Sequence, residues 1–221
     1  MRGRFITFEG GEGSGKSTHA ALLAQRLKTL GIEVVLTREP GGSTGAEIIR
    51  HVLLSGAAKP FGPEMETLLF AAARDDHIRS TIAPALAQGK WVICDRFIDS
   101  TRVYQGTLGK VDPRMIRGLE RVIVGDVMPD LTLIMDVPVE LGLARASRRR
   151  GGLQADRFEA EAIEFHERLR KAYTAVAESE PERCVLIDGG APKPAVVDKI
   201  WKIVNARFTP MRAARVSENV P

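Results

Sequence analysis

The sequence predicts an α/β fold: a doubly wound, five-stranded parallel sheet flanked by helices, of the P-loop NTPase class, with a short mobile lid. Three observations predict it. A stretch near the start, Gly10-Gly11-Glu12-Gly13-Ser14-Gly15-Lys16-Ser17, fits the phosphate-loop pattern G-x-x-x-x-G-K-[ST]. Several short runs are apolar throughout and lack the alternation of a half-exposed sheet, as strands buried on both faces do. Stretches with apolar residues at helical spacing lie between them.

The first strand is expected over Arg4–Glu9, an apolar, β-branched and aromatic run that leads into the glycine loop. A helix follows over Thr18–Leu30, marked by Leu22, Leu23, Leu27 and Leu30. Glu33–Thr37 is the second strand, and Ser43 or Thr44 caps a helix that ends near Leu54. A long helical pattern starts near Pro63, carries Met65, Leu68, Leu69 and Ala72, and continues toward Gln88. Trp91–Asp95 is the third strand, and Pro113 to about Val127 is helical. Leu131–Asp136 is the fourth strand. Helices are expected over Pro138–Arg149 and from about Arg157 to Glu178. Cys184–Ile187 is the fifth strand and Lys193–Phe208 the last helix. One domain is expected over 1–208, with a lid at about 145–157 and a loosely held tail at 209–221.

Composition narrows the class. Of 221 residues, 44% are hydrophobic and 27% charged, enough for a core beneath a polar surface. The net charge of +4 is not organised into a long basic stripe interleaved with aromatics, so nucleic acid is not expected as a partner. The densest basic cluster, Arg145 to Arg150, is short and reads as a phosphate grip rather than a nucleic-acid surface. Cys94 and Cys184 sit in strand-like runs and read as free buried thiols of a reducing cytosol. His19, His51, His77 and His166 lack metal-ligand spacing and read as structural or surface residues. No apolar run reaches the roughly 18 residues of a membrane span, and no signal-peptide pattern appears. A cytoplasmic protein is expected, with no membrane partner.

The phosphate loop has a mechanism. Its glycines let backbone N–H groups face an anion, and the following helix adds the positive end of its dipole. Lys16 would reach the β- and γ-phosphates, and the Ser17 hydroxyl would ligate Mg²⁺. Ligands of such sheets bind at the carboxyl ends of the strands. Those ends carry Glu9, Thr37-Arg38-Glu39-Pro40-Gly41-Gly42, Asp95-Arg96, Asp136 and Asp188-Gly189-Gly190. A guanine-reading GTPase normally carries Asn-Lys-x-Asp, yet Asn205 and Asn219 are the only asparagines and neither stands in that motif. Leu54-Ser55-Gly56-Ala57 does not continue as a transporter-ATPase signature. A small kinase with a small acceptor remains. Asp95 can hold a Mg²⁺ water, while Arg96 can fork onto an acceptor phosphate; a surface ion pair is the alternative. Phe70 and Arg74 share a helix face, so a ring and a guanidinium stand side by side. They could stack and read a base, or be ordinary core and solvated surface.

With these segments in view, the chain resembles the thymidylate kinase family over about residues 3 to 208. The resemblance is carried by Phe8–Ser17, Thr37-Arg38-Glu39-Pro40-Gly41-Gly42, Phe70-Ala71-Ala72-Ala73-Arg74, Asp95-Arg96-Phe97-Ile98-Asp99-Ser100-Thr101 and Tyr104-Gln105-Gly106. It implies phosphorylation of dTMP to dTDP with ATP and Mg²⁺ in dTTP synthesis, by a homodimer. It also implies residue roles. Gly10 to Thr18 hold ATP, with Ser17 and Asp95 at the metal. Phe70 stacks on thymine, and Arg74 bonds its O4. Ser100, Thr101 and Gln105 surround the base edge and deoxyribose, and Tyr104 stands beside the sugar. Glu12 takes the 3′-hydroxyl, and Arg38, Arg50 and Arg96 stand near the acceptor phosphate. Asp156-Arg157-Phe158-Glu159 resembles the close of the lid.

Members of the family carry a catalytic arginine either in the phosphate loop or, mainly in bacteria, in the lid. This loop has none, and the lid has Arg148, Arg149 and Arg150, so the chain resembles the lid-arginine kind. Lys16, Arg96 and either Arg148 or Arg150 are then the expected catalytic cations. Another nucleoside monophosphate kinase and a non-catalytic nucleotide-binding regulator are the alternative readings.

Overall fold

The computed structural model describes residues 2–151, 158, 159 and 161–208, with Arg150 described by its backbone alone. Residues 152–157 of the lid expected at about 145–157, including Asp156 and Arg157, and the tail at 209–221 therefore lie outside the described residues.

Five parallel strands form one sheet in the order β2-β3-β1-β4-β5. They are β1 Phe5–Gly10, β2 Val34–Arg38, β3 Trp91–Asp95, β4 Leu131–Asp136 and β5 Cys184–Asp188, each within one residue of its expected bounds. β1 lies at the centre, with Phe5 opposite Val92 of β3 and Ile6 opposite Leu131 of β4. It is buried at every position, which is why its sequence is apolar until Glu9 except for Thr7, whose hydroxyl bonds that of Thr132 at 2.8 Å.

Alternate residues of the strands pack on opposite layers. Ile6, Phe8, Leu131 and Leu133 meet Leu23 and Leu27 of α1 (Lys16–Thr29) and Ile200 and Val204 of α9 (Lys193–Phe208). Phe5, Val92 and Cys94 face the other layer, where they meet Ile78, Ile82, Phe97 and Val124. There Phe5 and Phe97 pack edge to face at 4.9 Å between centroids. Ile134 packs with Leu169 and Tyr173 of α8 (Ile163–Ser179). Cys94 and Cys184 are free and buried, in agreement with the sequence. No helix among the described residues is long and apolar enough to cross a membrane.

The remaining helices connect the strands, and the one over Ala83–Ala87 lies at their amino ends, where Leu86 O accepts the Gly3 N–H. α2 is Thr44–Leu54 and α3 is Gly62–His77. α3 runs on through a widened turn, Ile78–Ile82, into α4, Ala83–Ala87. In that turn the Ala83 N–H bonds back to Ile78 O, beside Pro84, which has no N–H to give. α6 is Pro113–Leu119, extended by a second wide turn to Val124. α7 is Val139–Arg150.

Two helix starts differ from expectation, and one helix was not expected. α1 begins at Lys16 because Gly15, with φ 94°, already turns the chain into the helix. α8 begins at Ile163, after Ala162 in an extended conformation. A short helix unmarked by periodicity, α5 (Ile98–Thr101), continues as a wide turn over Arg102–Leu108. Its Ser, Thr and Gly content gives weak helical propensity, and tertiary bonds hold it instead.

Candidate active site

The phosphate loop joins β1 to α1. Gly10, Gly13 and Gly15 all have positive φ, at 130°, 63° and 94°. Gly13 is also sterically required: a Cβ there would lie 1.9 Å from the Gly142 carbonyl of α7, which backs the loop. The Lys16 ammonium curls over the loop and donates to Gly11 O at 2.7 Å and Gly10 O at 3.1 Å. Burial, helped by the neighbouring Arg96 cation, lowers its pKa to about 8. Ser14 Oγ closes the turn onto Gly11 O at 2.8 Å. Ser17 and Thr18 are exposed at the helix start, and Ser17 Oγ donates to Asp95 at the end of β3.

A cavity of about 300 Å³ opens beside the loop. Glu12, Lys16, Ser17, Asp95 and Arg96 line its phosphate-loop side. Arg38, Arg50, Phe70 and Arg74 line the α2–α3 side, and Ser100, Thr101, Tyr104 and Gln105 of the α5 segment line the third wall. One cavity thus brings together every residue expected at the acceptor.

The guanidinium of Arg74 is 4% exposed and held from three directions. Its Nε donates to Glu39 at 2.7 Å, Nη1 to Thr101 Oγ1 at 3.0 Å and Nη2 to Phe97 O at 3.1 Å. An arginine carries five N–H donors, so bonds in the plane remain for a ligand. Phe70, half-buried, stands one turn before it on α3. Arg38 pairs with Glu47 at 2.9 Å, and Arg50 donates to Pro40 O at 2.6 Å.

Arg96 adopts φ 69°, a left-handed conformation that costs a non-glycine residue about 1–2 kcal/mol. Its N–H bonds Phe8 O at 2.9 Å, and its side chain makes an ion pair with Glu12. Its guanidinium also lies 5.2 Å from the centre of the Tyr104 ring. Burial alone would raise the Glu12 carboxyl, but Arg96, Lys16 and the Tyr104 hydroxyl outweigh it and hold the pKa at about 2.

Of the lid arginines, Arg149 lines the cavity and pairs with Glu159 at 2.9 Å. Arg148 is exposed and is not among the lining residues, and the Arg150 side chain lies outside the described residues. Arg145 donates instead to Gly189 O at 2.8 Å.

Four participants carry no individual role in the sequence reading, although Glu9, Glu39 and Phe158 lie in segments it singles out. Glu9, wholly buried, accepts the Phe97 N–H at 2.8 Å and the Ser100 hydroxyl at 2.7 Å. A charge ending an otherwise apolar run was its one visible signal. Glu39 orients Arg74 and also bonds His77 at 3.0 Å, which in turn contacts Thr37 at 2.7 Å. His77 is thus a structural histidine, as its sequence context implies. Tyr173 reaches the site from α8, and Phe158 packs edge to face on Tyr104 at 5.1 Å. Among the described residues no group of three His, Cys, Asp or Glu side chains forms a metal cage. The Ser17 hydroxyl and Asp95 carboxylate are hard oxygen donors, a set that suits Mg²⁺ completed by water and phosphate oxygens.

Comparison with known proteins gives the family and the fold. The family model described as Thymidylate kinase matches residues 8–200. The chain is similar to the thymidylate kinase of Bradyrhizobium sp. (strain ORS 278), at 61% identity over 96% of this chain and 95% of that protein. It is 60% identical to that of Nitrobacter winogradskyi, over 97% of this chain and 93% of the relative. A crystal structure of thymidylate kinase from Ehrlichia chaffeensis superposes with a TM-score of 0.74 at 36% identity, covering 92% of this chain and 99% of that one.

Proposed function

This chain belongs to the thymidylate kinase family, and from that premise we propose how its cavity works. The protein phosphorylates dTMP to dTDP with ATP, a step of dTTP synthesis. The observation that supports the site assignment is the single cavity that gathers base-reading, sugar-facing and phosphate-facing side chains beside Lys16 and Ser17.

In this reading the thymine ring lies on Phe70, with its O4 toward Arg74. Ser100, Thr101 and Gln105 meet the base edge and deoxyribose, and Tyr104 stands beside the sugar. Glu12 accepts the 3′-hydroxyl. Arg38, Arg50 and Arg96 hold the acceptor phosphate. The loop from Gly10 to Thr18 cradles the ATP phosphates, its N–H groups and the α1 N-terminus facing them. Ser17 and Asp95 would hold Mg²⁺, directly and through water, and the ion would supply positive charge against the ATP phosphates.

An oxygen of the dTMP phosphate attacks the γ-phosphorus in line. The bond to the bridging oxygen breaks, and ADP leaves with that electron pair. A phosphate is already nucleophilic, so no general base is required. Two anions must approach, and catalysis lies in positioning and charge stabilisation. Lys16 and Arg96 draw the reactants together, and an arginine of the Arg148–Arg150 run supplies the cation opposite the transferred group. Closure of the lid at about 145–157 excludes the water that would hydrolyse ATP. The catalytic unit is a single domain over 1–208, cytoplasmic, acting on small molecules as a homodimer.

Nucleotide separation after incubation with ATP and dTMP tests this reading. Equimolar dTDP and ADP are expected with Mg²⁺, and neither after chelation. ADP without dTDP would contradict it.

A further inference from the structure

Glu9 is buried beneath the site and does not line its cavity. It nonetheless bonds two of the segments that build the site. Oε1 accepts the backbone N–H of Phe97 at 2.8 Å and of Ser100 at 3.2 Å, at the entry to α5. Oε2 accepts the Ser100 hydroxyl at 2.7 Å and the Tyr173 hydroxyl at 3.1 Å. Those same two hydroxyl oxygens receive Arg96: Nη1 donates to Ser100 Oγ at 3.3 Å and to Tyr173 Oη at 3.2 Å, as well as to Gly10 O at 3.2 Å.

A hydroxyl has one proton and two lone pairs. If Ser100 and Tyr173 both give their protons to Glu9, both turn lone pairs toward the guanidinium. The two hydroxyls also bond each other at 2.9 Å. If Glu9 takes up a proton, one hydroxyl accepts from it instead of donating, and the pair must reorient beside Arg96. We propose that Glu9 is a positioning residue for the reaction: its carboxylate fixes the orientation of the Ser100 and Tyr173 hydroxyls, and through them seats Arg96 for the acceptor phosphate. This inference rests on the assignment of Arg96 to that phosphate.

The electrostatics agree with the geometry. The groups that face Glu9 are Asp99 and Arg96 beyond β3, Tyr173 on α8, Lys16 on α1 and Cys94 on β3. Burial, with Asp99 beside it, pushes the Glu9 carboxyl up to about 7 against the opposing Ser100 and Arg96. Protonation of Glu9 as pH falls would therefore reorient the hydroxyl pair.

The test compares Glu9→Gln, Tyr173→Phe and Arg96→Ala with the unaltered enzyme, measuring kcat/KM for dTMP, KM for ATP and the pH profile. The amide of Gln can donate where Glu9 only accepts. Glu9→Gln should lower kcat/KM for dTMP by about tenfold or more, with the ATP KM changed less than about twofold. The acid limb that Glu9 contributes should vanish. The dTMP phosphate, which ionises near pH 6, titrates in every profile, so only the difference between profiles counts. Tyr173→Phe should act in the same direction by a smaller factor. An unchanged kcat/KM in Glu9→Gln, or a reduced one with a pH profile superimposable on that of the unaltered enzyme, would overturn the inference. If Glu9→Gln does not fold, Tyr173→Phe decides, and full activity there overturns it. An active Arg96→Ala would instead overturn the phosphate assignment itself.

Discussion

Glu12 and Arg96 form an ion pair at the cavity, the first from the phosphate loop and the second from the turn after β3. The Tyr104 hydroxyl donates to the same Glu12 oxygen at 3.3 Å, and the Tyr104 ring lies against the Arg96 guanidinium. Donor loop and acceptor wall are thus tied together by one charged contact. A nucleotide arriving there meets a carboxylate suited to a sugar hydroxyl and a cation suited to a phosphate.

Glu12→Gln is expected to raise the KM for dTMP by about tenfold while leaving the ATP KM within a few-fold. With its pKa held at about 2, the Glu12 carboxylate stays ionised through the working range, so this effect should not vary with pH above about 4. Steady-state kinetics at two pH values check both points, and a dTMP KM equal to that of the unaltered enzyme would refute the 3′-hydroxyl assignment.

Lys16→Ala should abolish transfer while the protein remains folded. In the ligand-free enzyme Lys16 is protonated below its pKa of about 8 and loses its charge as pH rises through that value. The KM for ATP should therefore rise above about pH 8, with less change in kcat, because bound phosphates keep the proton on. Near-normal kcat in the variant would contradict the phosphate-loop reading.

The lid arginines can be separated by kinetics. A cation that only attracts ATP changes KM and salt dependence, whereas one that touches the transition state changes kcat. Arg148→Ala, Arg149→Ala and Arg150→Ala should be compared at saturating ATP. One of them should lose at least about a hundredfold in kcat, within the range of arginine contributions in phosphate-loop enzymes. Arg149 enters the comparison because it lines the cavity. If the triple variant keeps kcat within a few-fold, the catalytic cation lies elsewhere.

Asp99 anchors the α5 segment. Fully buried, it receives both Nη groups of Arg183 at 2.7 and 2.8 Å and Arg102 at 3.1 Å. Asp99→Ala removes the fully buried acceptor shared by Arg183 and Arg102, which keep only the less buried Glu180 and Glu120, and should cost about 3–5 kcal/mol, read by denaturant unfolding. A loss below about 1 kcal/mol would show that the arginines find other acceptors.

The central strands were legible because burial on both faces demands largely apolar runs, as in Phe5–Phe8 and Leu131–Met135, where Thr7 and Thr132 bond each other; the edge strands β2 and β5, expected to be buried alike, instead leave Leu36 and Leu186 exposed. The phosphate loop was legible because its glycines and Lys16 are local in sequence. The α5 segment was not: Ser100, Thr101 and Gly106 give no periodicity, and the helix depends on Glu9 from another strand. The contacts of Tyr173 with Glu9 and of Arg183 with Asp99 join residues far apart in sequence, which spacing alone does not reveal.

Selection of a thymine nucleotide as phosphoryl acceptor by this cavity is tested by an acceptor panel. With Mg²⁺ and ATP saturating, kcat/KM is measured for dTMP, dUMP, dCMP and UMP. The account predicts dTMP first, with dUMP weaker by about 10–200-fold, the discrimination one methyl allows in an apolar pocket. dCMP should be poor because Arg74 offers a donor to a position that carries a carbonyl in thymine and an amine in cytosine. Equal kcat/KM for dTMP and dCMP would contradict the account.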